Sequence, residues 1–113
     1  MSSLEREVDQ LHSRLCAGLA DPKRILLLYA LAEGGLNVGE LSEQLHMPQP
    51  TVSRHLKQLR DRGLVRASRQ GTAVFYTIED MRVIQALDLL RAVLADQLRS
   101  QADLAETVSS ELG

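Results

Sequence analysis

"MPQPTVSRHLKQLRDRG", residues 47–63, has two prolines at its head and a glycine at its tail, with hydroxyl and basic residues threaded between a few apolar ones. Pro50 falls in the first turn of a helix, where a missing N–H costs little, and Gly63 is the residue type that closes one. The pattern predicts a helix over about 49–62. On its wheel Val52, Leu56 and Leu59 share one narrow sector, with His55 at the edge. Arg54 and Lys57 lie opposite, flanked by Thr51, Ser53 and Gln58. One side of this rod is made to be held by a core and the other to meet something polar.

Upstream, "LNVGELSEQL" reads as a short helix over about 37–45. Asn37 with Glu40 three residues on is a capping-box variant, and Leu36 with Leu41 fits a hydrophobic staple. Before it, "DPKRILLLYALAEGG" reads as a helix with Asp21 as N-cap, Pro22 in the first turn and Gly34-Gly35 as the stop. Ile25, Leu28, Tyr29 and Ala32 are its expected inner face. Residues 4–19 carry a stripe of Leu4, Val8, Leu11, Leu15 and Leu19, again a helix. Downstream, "LVRASR" and "TAVFYTI" read as two strands of a hairpin turning at Gln70-Gly71. The last segment, about 80–111, is a long helix with Ile84, Leu87, Leu90, Leu94 and Leu98 on one stripe.

The order is α-α-α-α-β-β-α: mainly helical, with a small β-hairpin. Two short helices joined by a tight turn and followed by a two-stranded wing make a winged helix-turn-helix. A helix of this diameter fits the major groove of duplex DNA, and residues near its N-terminus reach base edges. The chain is read as one domain, 1–113, with the helix-turn-helix at 37–62, the wing at 64–78, and dimerisation helices at 1–20 and 80–111. The two outer helices each carry a leucine stripe, and the longer one outlasts what a monomer of this size covers.

Charge agrees with a polyanionic partner. The whole chain carries −2, yet residues 51–70 hold six Lys/Arg against Asp61 alone, a local +5 that leaves −7 elsewhere. The composition is 44% hydrophobic and 25% charged, ordinary for a helix-rich globular protein. No apolar run approaches a membrane span, and the N-terminus lacks the apolar core of a signal peptide. One cysteine cannot form an internal disulfide, so a cytoplasmic setting is expected. There is no Gly-rich phosphate loop, no paired Cys/His cluster and no nucleophile beside a base, so catalysis is not expected.

The segments "ADPKRILLLYAL", "LSEQLHMPQPTVSRHLKQLRDRGLV" and "RQGTAVFYTI" resemble, in order and spacing, the ArsR/SmtB family of bacterial transcriptional repressors. The resemblance covers about residues 15–95. It implies a homodimer packed through the first and last helices, a palindromic double-stranded DNA operator, and release by a small inducer, often a metal or metalloid ion and sometimes a reactive sulfur or oxidant species. Arg54 is the expected base reader, since guanidinium binds guanine bidentately. Gln49, Thr51, Ser53 and Gln58 are expected at bases or nearby phosphates, and His55 is expected to be either structural or phosphate-facing. Lys57, Arg62, Arg66, Arg69 and Gln70 are expected at the backbone, where contacts position the protein without specifying sequence. Pro48 stands where relatives tend to carry a Ser or Thr N-cap, so the start of the helix is expected to differ.

The sensing positions depart from the family. Where metal sensors of this kind open the third helix with a Cys-x-Cys pair, this chain has Asn37 and Gly39. On the last helix Asp88, Asp96 and Asp103 occur without a histidine, and zinc prefers imidazole and thiolate. No metal or cofactor is therefore assigned. Cys16, with His12 one turn before it, is the remaining effector candidate. Three readings of it stand: a small side chain filling a helix interface, a thiol open to oxidants or electrophiles, or part of a metal or metalloid site. His46 falls in the turn and is read as solvated. The competing functions are a protein-binding winged helix and a DNA-binding protein that senses nothing.

Overall fold

A computed structural model describes residues 2–112. The chain falls into two units, Met1–Met81 and Arg82–Gly113.

In the first unit, helix α1 starts at Ser3, with Ser2 as N-cap accepting the Glu5 N–H at 3.0 Å. It runs as an α segment Ser3–Gln10, a π-helical turn Leu11–Cys16 and a closing α turn Ala17–Leu19. The Ala17 N–H reaches back five residues to the His12 carbonyl, one more than in an α-helix. The sequence pattern did not foresee this wider turn. Helix α2, Pro22–Leu31, begins as expected: the Asp21 carboxylate accepts the Lys23 N–H at 2.8 Å, with Pro22 in the first turn.

Its buried face differs from the expected one. Leu27, Leu28 and Leu31 are buried, while Ile25, Tyr29 and Ala32 are only half-buried. The reason is that α2 packs against both following helices and the second strand of the hairpin, so burial spreads around it.

Helix α3, Val38–Leu45, carries the full capping box: Glu40 N–H donates to Asn37 Oδ1 at 2.8 Å and Asn37 N–H to Glu40 Oε1 at 3.1 Å. His46 then takes the left-handed conformation, φ 54°, and closes the helix. Met47 N–H returns to the Ser42 carbonyl at 3.1 Å, and the Ser42 hydroxyl donates to the Met47 carbonyl. The turn between the two short helices is therefore fixed by its own backbone and the Ser42 hydroxyl. His46 is exposed as expected, but its backbone sets that turn.

Helix α4, Gln49–Asp61, follows at once. Gly63, at φ +75°, ends it. The hairpin comprises β1, Val65–Gln70, and β2, Ala73–Ile78, paired from Val65↔Ile78 to Gln70↔Ala73. Its two-residue turn is therefore Gly71-Thr72, one step beyond the expected Gln70-Gly71. Gly71 has φ +64° and Thr72 does not share the positive φ, which matches a type II′ turn with glycine first. Leu36 pairs with Tyr76 through two backbone hydrogen bonds of 3.1 and 2.8 Å, tying the α2–α3 connection to β2.

The core gathers Leu27, Leu28, Leu41, Val52, Leu56, Leu59 and Leu64, each 0–1% exposed. Truncating any of these leucines to alanine costs about 2–5 kcal/mol. Three of these residues lie on α4, so the core grips that helix directly.

The second unit is one helix, α5, Arg82–Leu112, about 46 Å long at 1.5 Å per residue. Ile84 and Leu87 near its start are buried. Leu90, Leu94 and Leu98, which continue the stripe, are 63, 52 and 54% exposed. No helix among the described residues is long and apolar enough to cross a membrane.

Candidate nucleic-acid interface

The candidate surface is the face of α4 opposite its buried one. Val52, His55, Leu56 and Leu59 point inward. Gln49, Ser53, Arg54, Lys57 and Gln58 are exposed, and Thr51 is half-buried. Pro48 offers no side-chain cap. The Thr51 and Val52 N–H groups bond the Pro48 carbonyl, at 3.0 and 3.1 Å. The helix thus starts at Gln49, with backbone in place of the missing hydroxyl.

The charges on this face are spent unequally. Lys57 lies 3.7 Å from Asp61 and Arg60 3.9 Å from the same carboxylate. Arg66 on the wing lies 3.8 Å from Glu79. All are exposed pairs, worth little in water and easily exchanged for another anion. The guanidinium groups of Arg54 and Arg69 make no hydrogen bond or ion pair among the described residues. They are the uncommitted cations of helix and wing. Arg69 and Gln70 sit at the exposed end of β1 beside the turn.

Arg62, expected on this face, is turned away from it, and His55, expected to be structural or phosphate-facing, takes a buried place. His55 is 7% exposed. It follows Val52 by three positions, which carries its ring onto the inner side, where Nδ1 lies 3.4 Å from Arg24 Nη1. Arg62, the last residue of the helix end, turns to α1: its Nη1 donates to the Ser13 carbonyl at 2.5 Å and lies 3.4 Å from that of Arg14. A phosphate contact from Arg62 would have to break that link.

Arg24 is the residue the sequence reading missed. Its Nε donates to the Gly18 carbonyl at 2.7 Å and its Nη2 to that of Ala17 at 3.2 Å. Asp21 lies 3.9 Å from its Nη1. The only sequence signal was the i, i+3 spacing of Asp21 and Arg24, which marks a pair but not a tether between helices. Burial pushes the His55 imidazole below its ordinary value; Asp21 opposes this, and Arg24, Arg54 and Lys23 add to it. The Lys23 N–H holds the Asp21 carboxyl below the usual carboxylate range, with His55 and Arg24 adding to the effect and desolvation opposing it.

Cys16 is exposed, so within one chain it does not fill a core. It ends the π turn that contains His12. Asn37 is committed to the capping box and Gly39 is exposed. Asp88 and Asp96 pair with Arg91 and Arg99 on their own helix. Among the described residues no three His, Cys, Asp or Glu side chains converge as a metal site would require.

A helix anchored by its apolar side, a short helix packed before it and a two-stranded wing behind it define a winged helix-turn-helix protein. Residues 21–67 match the family model described as bacterial regulatory protein, arsR family. The chain is 46% identical over 67 residues to the HTH-type transcriptional regulator KmtR of Mycobacterium tuberculosis, covering 59% of this chain and 52% of that protein. It thus spans about half the length of that relative. It is 33% identical over 85 residues to the biofilm growth-associated repressor of Xylella fastidiosa, covering 75% of each. Among solved structures, the homodimeric winged helix-turn-helix DNA-binding domain of Mb0332 from Mycobacterium bovis superposes with a TM-score of 0.76 at 30% identity, covering 88% of this chain and 93% of that one. The chain belongs to the ArsR family of bacterial regulatory proteins, a family of transcriptional regulators rather than of enzymes.

Proposed function

We propose that this protein is a dimeric transcriptional repressor that binds a palindromic DNA operator through α4 and the wing and leaves it when a small inducer binds. The observation that carries the reading is the split of α4. Its apolar side is locked in the core, and its other side presents Gln49, Ser53, Arg54 and Lys57 to solvent with the Arg54 guanidinium uncommitted. Arg54 reads a base edge, with Gln49, Thr51, Ser53 and Gln58 at bases or adjacent phosphates. Lys57, Arg66, Arg69 and Gln70 hold the backbone.

Dimerisation is supported by bare apolar surface. Leu4, Val8 and Leu11 on α1 and Leu90, Leu94 and Leu98 on α5 are each about half exposed or more. Runs of this length on a small protein mark an interface. The homodimeric state of the Mycobacterium bovis domain supports the same assembly here. A two-fold dimer sets its paired recognition helices roughly 34 Å apart, one turn of DNA. For the inducer, the exposed thiol of Cys16 beside His12 is the candidate, since the positions the family uses for metals hold no soft ligands here.

The experiment is a gel-shift titration of the protein on DNA from upstream of its own gene against scrambled DNA, repeated with oxidant, polysulfide, arsenite and zinc. Preference for the upstream fragment supports the reading, as does release by a reagent to which Cys16→Ser is deaf. Equal affinity for both DNAs would remove the operator. Equal response of Cys16→Ser to every reagent would make the thiol structural.

A further inference from the structure

We propose that Arg24 is a positioning residue for DNA recognition, a bridge through which α1 sets the placement of the recognition helix α4. The inference rests on the reading of α4 as the DNA-binding helix. Three of the guanidinium's nitrogens are used: Nε and Nη2 on the Gly18 and Ala17 carbonyls of α1, and Nη1 toward His55 on α4. Arg24 itself belongs to α2, so one side chain joins three helices. Its side chain is 15% exposed, which places these contacts out of bulk water, where charged hydrogen bonds are strong.

A second, independent contact does the same at the far end of α4. The Ala17 N–H, which in a regular α-helix would serve the Ser13 carbonyl, goes to His12 in the π turn. The Ser13 carbonyl receives Arg62 from the end of α4. Gly18 leaves the room this needs: a Cβ there would stand 2.9 Å from Arg62 Cδ and 2.7 Å from Leu64 Cδ1. The backbone of α1 is therefore gripped at Ser13 by Arg62 and at Ala17 and Gly18 by Arg24, and both grips lead to α4. A shift of α1 moves the DNA-reading face with it.

The Arg24–His55 contact depends on protonation. Guanidinium only donates, so a hydrogen bond here needs Nδ1 bare and the ring neutral. Proton uptake removes that acceptor and sets a second cation 3.4 Å from the first. The charged groups acting on the ring are Asp21, which favours the proton, and Arg24, Arg54 and Lys23, which oppose it.

The test measures the ratio of operator to scrambled-DNA affinity from pH 5.5 to 8 for the wild-type protein, Arg24→Lys and His55→Gln. The ratio cancels the effect of pH on phosphate contacts. Lysine keeps the charge but lacks the fork, so Arg24→Lys should lower the ratio at pH 7.5 about tenfold while scrambled-DNA binding stays near wild type. Wild type should lose ratio as pH falls through the folded value of His55, which burial holds below the ordinary 6.5. His55→Gln keeps an acceptor for Arg24 that does not titrate, so its ratio should stay flat. Should Arg24→Lys fail to fold, the wild-type and His55→Gln pH profiles decide alone. A wild-type ratio flat with pH, or an Arg24→Lys ratio equal to wild type, overturns the bridge. A wild-type protein that never prefers its operator overturns the reading of α4, and the bridge with it.

Discussion

Arg54 on α4 and Arg62 just past its end lie in different environments: one side chain is exposed, the other holds a carbonyl of α1. Replacing Arg54 by alanine should weaken operator binding by about 1–3 kcal/mol and relax sequence preference at one position. Competition binding with single-base operator variants measures this, and unchanged discrimination would remove Arg54 from the bases. His55 makes a different prediction, about stability. Its folded pKa lies below the ordinary 6.5 because of burial, so protons favour the unfolded chain. Its contribution is fully present above about pH 6.5 and is lost as pH falls through the folded value. Chemical denaturation at pH 7.5 and 5.5 should therefore show wild type losing more stability than His55→Gln; equal losses would mean the ring is hydrated. From sequence, the exposure of Arg54 was legible because it opposes the apolar sector of the wheel. His55 was ambiguous because it sits at the sector's edge; it turns inward with Val52, and the sequence does not show that Arg24 meets its ring there.

Helix ends were the most legible elements, because caps are short-range chemistry. Asp21, the Asn37–Glu40 box and Gly63 all act within three residues of the backbone they serve. Asn37→Ala should cost about 0.5–2 kcal/mol in thermal or chemical denaturation, and a smaller loss would mean water replaces the cap. The π turn of α1 was not legible, and neither was the Arg62 contact to the Ser13 carbonyl within it, which spans 49 residues. Periodicity reports the face of a helix, not a partner that arrives from another element. The hairpin was read one residue short for a related reason. Gly71 was identified as a turn residue, but only the strand register shows that it occupies the first of the two turn positions. As an element, the wing holds Arg69 at its tip. Arg69→Ala should weaken binding on any DNA and lower the log-affinity against log-salt slope by about one unit. An unchanged slope would take the wing off the DNA.

At the scale of the whole molecule, much of the apolar surface of α1 and α5 is bare, with Leu4, Val8, Leu11, Leu90, Leu94 and Leu98 exposed. Leu94→Glu should raise the dimer dissociation constant and weaken operator binding in parallel, since two half-sites engaged by one particle bind far more tightly than one. Sedimentation alongside gel shifts checks both; a monomeric variant with full operator affinity would separate assembly from recognition. The central claim is that paired copies of α4 lie in successive major grooves on one face of a palindrome. Hydroxyl-radical footprinting of the protein on DNA upstream of its own gene tests it most directly. Two protected patches are expected, centred about one helical turn apart and related by the palindrome's two-fold axis. A single uninterrupted patch, or protection that follows no sequence, would contradict it.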